Sequence, residues 1–443
     1  MGNMATFFSW RRMLYTLAVY GIAPLMPLYL LWRARRQPEY ARAWGERFAW
    51  CYGAARRSTA ERRVWLHAVS LGETRAAQPL VDAFLAEQPH AHIILTHTTP
   101  TGRAAGQALF AAYLADGRMT QVYVPYDLPD VLARFLRRSA PTDCWLMETE
   151  IWPNMIAACG QRNIPVSLLN GRLSDKTLQK TLKSSFVAQL TSEAYGRLAR
   201  VCAQGEADGA RYRQLGVVEH ALCVTGNVKF DMVQDAEKVA QGARLAAHAG
   251  ARKNILMAST RDGEEAAWLA ALAQNPLESV RWWLVPRHPQ RFDAVRQLLQ
   301  QAGFVGEKLL LKTQLDVLTG EEKIAALQAA DVVLGNTMGE MPAYYAAADV
   351  VMMGGAWLPH GGQNFLEPMA LGKPTVVGAH THNFTQAADD AVAAQALLQV
   401  ADIDAGLRAV RELLNDDGGL GLRAKAFVAA HQGAVRRTLE IVA

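Results

Sequence analysis

The chain has 443 residues, of which 51% are hydrophobic and 20% charged. That balance excludes a disordered or collagen-like protein and leaves room for two or three domains at roughly 100–200 residues each, large enough to bury their own cores. The net charge of +5 is unevenly placed: residues 33–63 hold nine arginines against three acids, Arg11 and Arg12 add two more, and the rest is mildly acidic. A nucleic-acid interface on a basic face is therefore not expected; the positive segment sits where membrane phosphates could use it. The five cysteines (Cys51, Cys144, Cys159, Cys202 and Cys223) are odd in number and lack C-x-x-C spacing. This argues for a reducing compartment and against a disulfide framework or a zinc site.

In chain order, the first element is a run of twenty uncharged residues, 13–32. As a helix it is about 30 Å long, enough to cross a bilayer core. Trp10, Tyr15, Tyr29 and Trp32 lie near its ends, as interfacial aromatics do, and the arginines after it place residues 33–443 in the cytoplasm by the positive-inside rule. A cleaved signal peptide fits poorly, because arginines rather than small residues come after the apolar run. A buried core helix is the plain alternative, and an uncleaved anchor is the favoured reading. Pro24 and Pro27 predict a kink that would let it dip into one leaflet. Since no strand pattern includes it, the segment is expected to be dispensable for folding.

Short apolar runs then alternate with helical stretches. Strands are predicted at 63–69, 93–96, 122–124, 144–147 and 166–169, with helices at 73–86, 103–114, 129–138 and 153–160 and a helical stretch ending at 198. The rhythm restarts with strands at 254–258, 282–286, 331–334, 350–353 and 375–377. Such a pattern predicts parallel sheets covered by helices, in two doubly wound domains. The division is expected between residues 216 and 239, with no Gly/Ser linker and a ligand cleft between the domains.

Four segments could carry chemistry. His67–Glu73 (HAVSLGE) is a strand-to-helix turn in which Glu73 lies at a helix N-terminus, where the dipole should keep it ionised at neutral pH. It is also a degenerate nucleophile elbow that would make Ser70 a hydrolase nucleophile, but no partner Asp and His stand out. In METEIWPN, Glu148 and Glu150 come directly after a strand and need partners if their apolar flank is buried. ASTRDGEE offers Ser259, Thr260 and Arg261 as an anion cradle, and the next strand leads into Arg287, His288 and Arg291. The densest segment runs from Gly335 through Gly339, Glu340 and Gly354-Gly355 to Gly361-Gly362, where a Gly-Gly turn is expected to open a helix carrying Asn364 and, one turn inside, Glu367. There is neither a Walker A nor a G-x-G-x-x-G motif, and His380-x-His382 lacks a third metal ligand.

Together with TTPTG (98–102), PYD (125–127), NGRLS (170–174), GNVKFD (226–231) and TMGE (337–340), these blocks resemble, over essentially the whole chain, the Kdo (3-deoxy-D-manno-octulosonic acid) transferases of lipopolysaccharide assembly. The resemblance implies a glycosyltransferase-B architecture: two α/β, Rossmann-like domains facing a cleft, behind an N-terminal membrane-anchor helix. The corresponding divisions are 1–32 (anchor), 33–222 (acceptor domain) and 223–443 (donor domain). It implies inverting transfer of Kdo from CMP-Kdo to the lipid A precursor (lipid IVA), at the cytoplasmic face of the bacterial inner membrane, without a metal or other cofactor. The expected partners are CMP-Kdo, the lipid A precursor and inner-membrane lipids. Carried over, Glu73 is the general base and Glu148 and Glu150 are acceptor-side acids. Ser259, Thr260, Arg261, Arg287, His288, Gly339, Glu340, Gly361, Gly362, Asn364 and Glu367 form the donor side. The chain departs from the family pattern at Asn336, Ala356 and Gln363. The alternatives are a transferase of the same fold using another nucleotide, and a membrane-tethered binding protein without catalysis.

Overall fold

The computed structural model describes residues 9–51, 60–232, 234–248, 250–415 and 419–443. Residues 1–8 of the expected anchor, and Arg56 and Arg57 of the basic cluster, lie outside the described residues. The chain forms two compact units, Met1–Met232 with Gln432–Ala443, and Val233–His431. The sequence placed the division at 222/223 and kept 223–443 together. In the structure the final helix, Ala434–Val442, returns to the first unit, where it buries Val435 and Leu439 against the same core as the helix Leu71–Glu87. Asp231 secures the return by accepting from the N–H groups of Gly433 and Val435, both at 2.6 Å.

The first unit is built on seven parallel strands: β1 (Arg63–His67), β2 (His92–His97), β3 (Met119–Tyr123), β4 (Asp143–Met147), β5 (Val166–Gly171), β6 (Arg200–Ala203) and β7 (Leu222–Val224), in the order β3-β2-β1-β4-β5-β6-β7. Val64, Trp65 and Leu66 of β1 are fully buried, as a central strand covered by helices on both faces requires. The second unit holds β8 (Lys253–Thr260), β9 (Val280–Pro286), β10 (Leu309–Leu311), β11 (Val332–Leu334), β12 (Val350–Met353), β13 (Thr375–Val377) and β14 (Leu398–Gln399), in the order β10-β11-β9-β8-β12-β13-β14. In each sheet the order reverses beside its first strand, between β1 and β4 and between β8 and β12. Open α/β sheets bind ligands outside the carboxyl ends of their strands at such a switch point.

The N-terminal segment is helical throughout Trp10–Ala34: helices Trp10–Ile22 and Met26–Ala34 meet at a 3₁₀ turn over Ala23–Leu25. It joins no sheet, but it docks on the first unit. Tyr15 donates to Asp127 (2.9 Å), Thr16 to Asn154 (2.9 Å), Tyr20 to Asp130 (2.7 Å) and Arg11 to Glu193 (3.0 Å). Val19 and Ala23 pack on the core beneath. The opposite face leaves Leu14, Leu17, Ile22, Leu25, Leu28, Leu31 and Trp32 exposed. By length and composition this helix is apolar enough to cross a membrane. These bonds make the segment part of the first unit although it enters no sheet.

Candidate functional site

Glu73 is the third residue of the helix Leu71–Glu87, which β1 feeds through a three-residue turn. Ser70 caps that helix, its Oγ accepting from the Glu73 N–H (3.4 Å) and donating back to Oε1 (3.3 Å). Oε2 accepts from the Val69 N–H at 2.8 Å. The Ser70 hydroxyl is thereby taken up by the cap. Burial raises the Glu73 carboxyl from its ordinary 4.5 to about 7, and Glu148 and Glu150 push the same way against the Val69 and Ser70 hydrogen bonds. The expectation of full ionisation at neutral pH is corrected accordingly. A helix N-terminus contributes about 0.3–1 kcal/mol, less than the roughly 1.4 kcal/mol that a tenfold change in proton affinity requires, and lost hydration outweighs it.

The two other acids stand across the switch point, at the end of β4. Glu148 has left-handed backbone (φ 57°), a conformation costing of order 1–3 kcal/mol in a non-glycine residue. Its surroundings hold it there: its N–H donates to Leu169, its carbonyl accepts from Arg172 and Tyr212, and its carboxylate pairs with Lys229 at 3.0 Å. Glu150 accepts from the Trp152 indole at 2.7 Å, and burial raises its pKa. The partners that buried acids require are therefore Lys229 and Trp152.

Behind Glu73 lies a histidine pair to which sequence reasoning assigned no role. The Gln121 side-chain amide donates to His97 Nε2 (2.7 Å), so the proton is on Nδ1, which donates to the Ala68 carbonyl (2.9 Å). His67 Nδ1 meets Thr96, and its ring stands edge-on to Trp152. Burial holds His67 down to about 4 and His97 to about 3, so both are neutral, and His97 supports the turn after β1 through the Ala68 carbonyl.

In the second unit, Ser259 and Thr260 end β8 with Arg261 just after it, and Gly354-Gly355 succeed β12 across the switch point. Ser259 is left-handed (φ 55°). Thr260 is fully buried and gives its hydroxyl to Glu265, and the Arg261 N–H is taken by Glu264. The helix starts only at Glu264, so the expected cradle of free N–H groups at Ser259–Arg261 is replaced by a turn closed by two acids. The outward-facing groups are basic. Arg261 meets His288 Nε2 at 3.2 Å, and Arg287 Nε donates to Gln363 (3.2 Å). Burial, then Arg261, Arg287 and Arg291, hold the His288 pKa down.

Gly361 and Gly362 are both left-handed (φ 95° and 81°), which glycine adopts without strain. The helix opens later than expected, at Leu366, and is only five residues long, so Glu367 is in its first turn. Glu367 accepts from the Asn364 side chain (3.0 Å), whose own oxygen caps Leu366 N–H (3.2 Å). Gly339 and Glu340 lie past the end of β11, on the far side of β9 from β8. Gly339 carbonyl accepts from Lys238 and Glu340 pairs with the buried Lys312, so their polar groups are turned to these lysines. Asn336 ties its loop to Thr313. Among the described residues no group of three or more His, Cys, Asp or Glu is placed to hold a metal ion.

Comparison with known proteins decides between families. The family model described as 3-deoxy-D-manno-octulosonic-acid transferase (kdotransferase) matches residues 42–232, and the glycosyl transferases group 1 model matches 312–430. The 3-deoxy-D-manno-octulosonic acid transferase of Bordetella pertussis is 41% identical over 97% of this chain and 98% of its own. That of Haemophilus influenzae is 32% identical over the same shares. The chain belongs to the Kdo transferase family. Among solved structures, the UDP-GlcNAc 2-epimerase of Neisseria meningitidis superposes with a TM-score of 0.55 at 14% identity over 86% of this chain and 99% of its own, a likeness of fold alone. This Kdo transferase thus has the glycosyltransferase-B type of construction, two α/β units each on one parallel sheet. Its acids lie at the β1/β4 switch of one unit, and its arginines and glycine loops lie at or near the β8/β12 switch of the other.

Proposed function

We propose that this Kdo transferase moves Kdo from CMP-Kdo to a lipid A precursor (lipid IVA) in lipopolysaccharide inner-core assembly, with inversion at the anomeric carbon. It works at the cytoplasmic face of a bacterial inner membrane, held there by the apolar helix and its flanking arginines. The first unit takes the acceptor and the second takes the donor.

The observation that carries the reading is Glu73, a carboxyl with a pKa of about 7 at the carboxyl end of β1, beside two further acids. A general base is most effective when its pKa lies near the working pH. As the acceptor hydroxyl attacks, its proton passes to Glu73, the new C–O bond forms, and the bond from the anomeric carbon to the CMP phosphate oxygen breaks. One in-line displacement of this kind inverts the carbon. The leaving CMP gathers negative charge on its phosphate, which Arg261 and Arg287 are suited to stabilise without a cation. Glu148, neutralised by Lys229, and Glu150 are assigned to the acceptor hydroxyls.

The test is incubation of the full-length protein with CMP-Kdo and lipid IVA, reading product mass and the configuration of the new linkage, with CMP against UDP binding alongside. Product formation with inversion and a preference for CMP are expected. No product, or a preference for UDP, overturns the donor and acceptor assignment.

A further inference from the structure

The turn after β8 is closed by a carboxylate that the transfer chemistry does not use. Glu264 is the first residue of the helix Glu264–Gln274 and is fully buried. Its carboxylate accepts from the N–H groups of Arg261 (2.8 Å), Gly355 (2.8 Å), Trp357 (3.0 Å) and Leu358 (3.4 Å). One side chain therefore bonds both loops of the switch point, the one after β8 and the one after β12. The loops abut: a Cβ on Gly354 would lie 2.6 Å from the Ser259 carbonyl oxygen.

The β12 loop in turn shapes the Gly361–Gln363 turn. The Gly355 carbonyl accepts from Gly362 N–H (2.7 Å) and the Gly354 carbonyl from Gln363 N–H (3.1 Å). Gln363 then holds Arg287. A continuous set of bonds runs from Glu264 through Gly355 to the Gly361–Gln363 turn and to Arg287, while Arg261 hangs on the same carboxylate through its backbone. The neighbouring acid, Glu265, does parallel work: it is buried, bonds Thr260 and forms a two-pronged pair with Arg291 (2.9 and 2.6 Å).

We propose that Glu264 is a positioning residue of the donor site, clamping the β8 and β12 loops so that Arg261, Arg287 and the Gly361–Gln363 turn are set for a nucleotide phosphate before it arrives. It touches no substrate, and its role rests on the reading of the second unit as the CMP-Kdo site. Preorganised donors spare the ligand the cost of ordering them. An amide cannot replace the carboxylate, since its N–H₂ would face backbone N–H groups; aspartate, one methylene shorter, keeps the charge and acceptors but reaches less far.

The test compares the full-length protein with Glu264→Gln and Glu264→Asp. CMP binding is measured by calorimetry, with steady-state kinetics in donor and acceptor. Glu264→Gln is expected to weaken CMP binding and raise the KM for CMP-Kdo by about tenfold or more, with kcat and the acceptor KM within about threefold of the parent, and Glu264→Asp to recover part of the loss. In the unsubstituted, ligand-free protein the amides of Gly355 and Trp357 are expected to exchange slowly with solvent, a readout that needs no variant to fold. Fast exchange there overturns the clamp, as does a folded Glu264→Gln with unchanged CMP affinity, or a uniform loss of kcat and both KM values. Failure of the unsubstituted protein to bind CMP overturns the donor-site reading and the positioning role with it. Normal binding that the substitution leaves intact overturns the positioning role alone.

Discussion

Glu73 illustrates how two local effects compete at one atom. The helix start favours its charge and burial opposes it, and burial wins, leaving the carboxyl half ionised near neutrality. Turnover is therefore expected to rise about tenfold per pH unit up to about 7 and then level, because only the ionised form accepts a proton. For stability, the sign is opposite. The folded chain binds this proton more tightly than the unfolded chain does, so the Glu73 contribution is fully present below about pH 4.5 and is lost as pH rises through about 7. Glu73→Gln keeps the size of the cap and removes the proposed base. It is expected to lower turnover by about 10²–10⁴-fold with CMP binding within a few-fold, and near-normal turnover would remove Glu73 as the base. The neighbouring charges give a finer test. Lys229→Met leaves Glu148 unneutralised beside Glu73 and is expected to move the acidic limb of the pH–rate profile upward, whereas Glu150→Gln moves it downward. Limbs that stay in place would separate these acids from the titration of Glu73.

At the scale of elements, the N-terminal helix packs one face on a protein core and leaves an apolar face exposed. One face carries Tyr15, Thr16, Val19 and Ala23 to the first unit, and the other exposes leucines and Trp32. Asp127 is the buried one of its carboxylate tethers. It accepts from Tyr15 and from the Asn154 and Met155 N–H groups at the start of the helix Pro153–Gly160, and burial raises its carboxyl to about 6. Tyr15→Phe removes a hydrogen bond to a buried carboxylate and is expected to cost about 1.5–3 kcal/mol in urea unfolding. Deleting residues 1–34 uncovers Asp127, Asn154 and the apolar contacts of Val19 and Ala23 together. It is expected to lower the melting temperature of the first unit as well as to weaken vesicle binding. An unchanged melting temperature would show that the docked face adds nothing to the fold.

Over the whole molecule, acids gather at one switch point and bases at or near the other. The first arrangement suits proton removal from a hydroxyl, and the second suits a departing phosphate. On the proposal that Arg261 and Arg287 meet the departing phosphate, transfer is expected to continue in excess chelator. Loss of activity that Mg²⁺ restores would count against this phosphate site.

Hydrophobic pattern alone determined the two parallel α/β units, because β1, β4, β8, β9, β12 and β13 are strands of three to eight residues whose apolar runs are legible one by one. Four strands escaped it: β6, β7, β10 and β14 have two to four residues each. The ordered motifs likewise determined the family and pointed to Glu73, Glu148, Glu150 and the arginines. Tertiary structure decided what those groups are. Lys229 meets Glu148 across 81 residues, Tyr15 meets Asp127 across 112, and Glu264 reaches Gly355 across 91. The proton affinity of Glu73, the closure of the Ser259–Arg261 turn and the return of the last helix to the first unit all depend on burial and on distances through space. Those arise from packing the whole chain and are carried by no local spacing of residues.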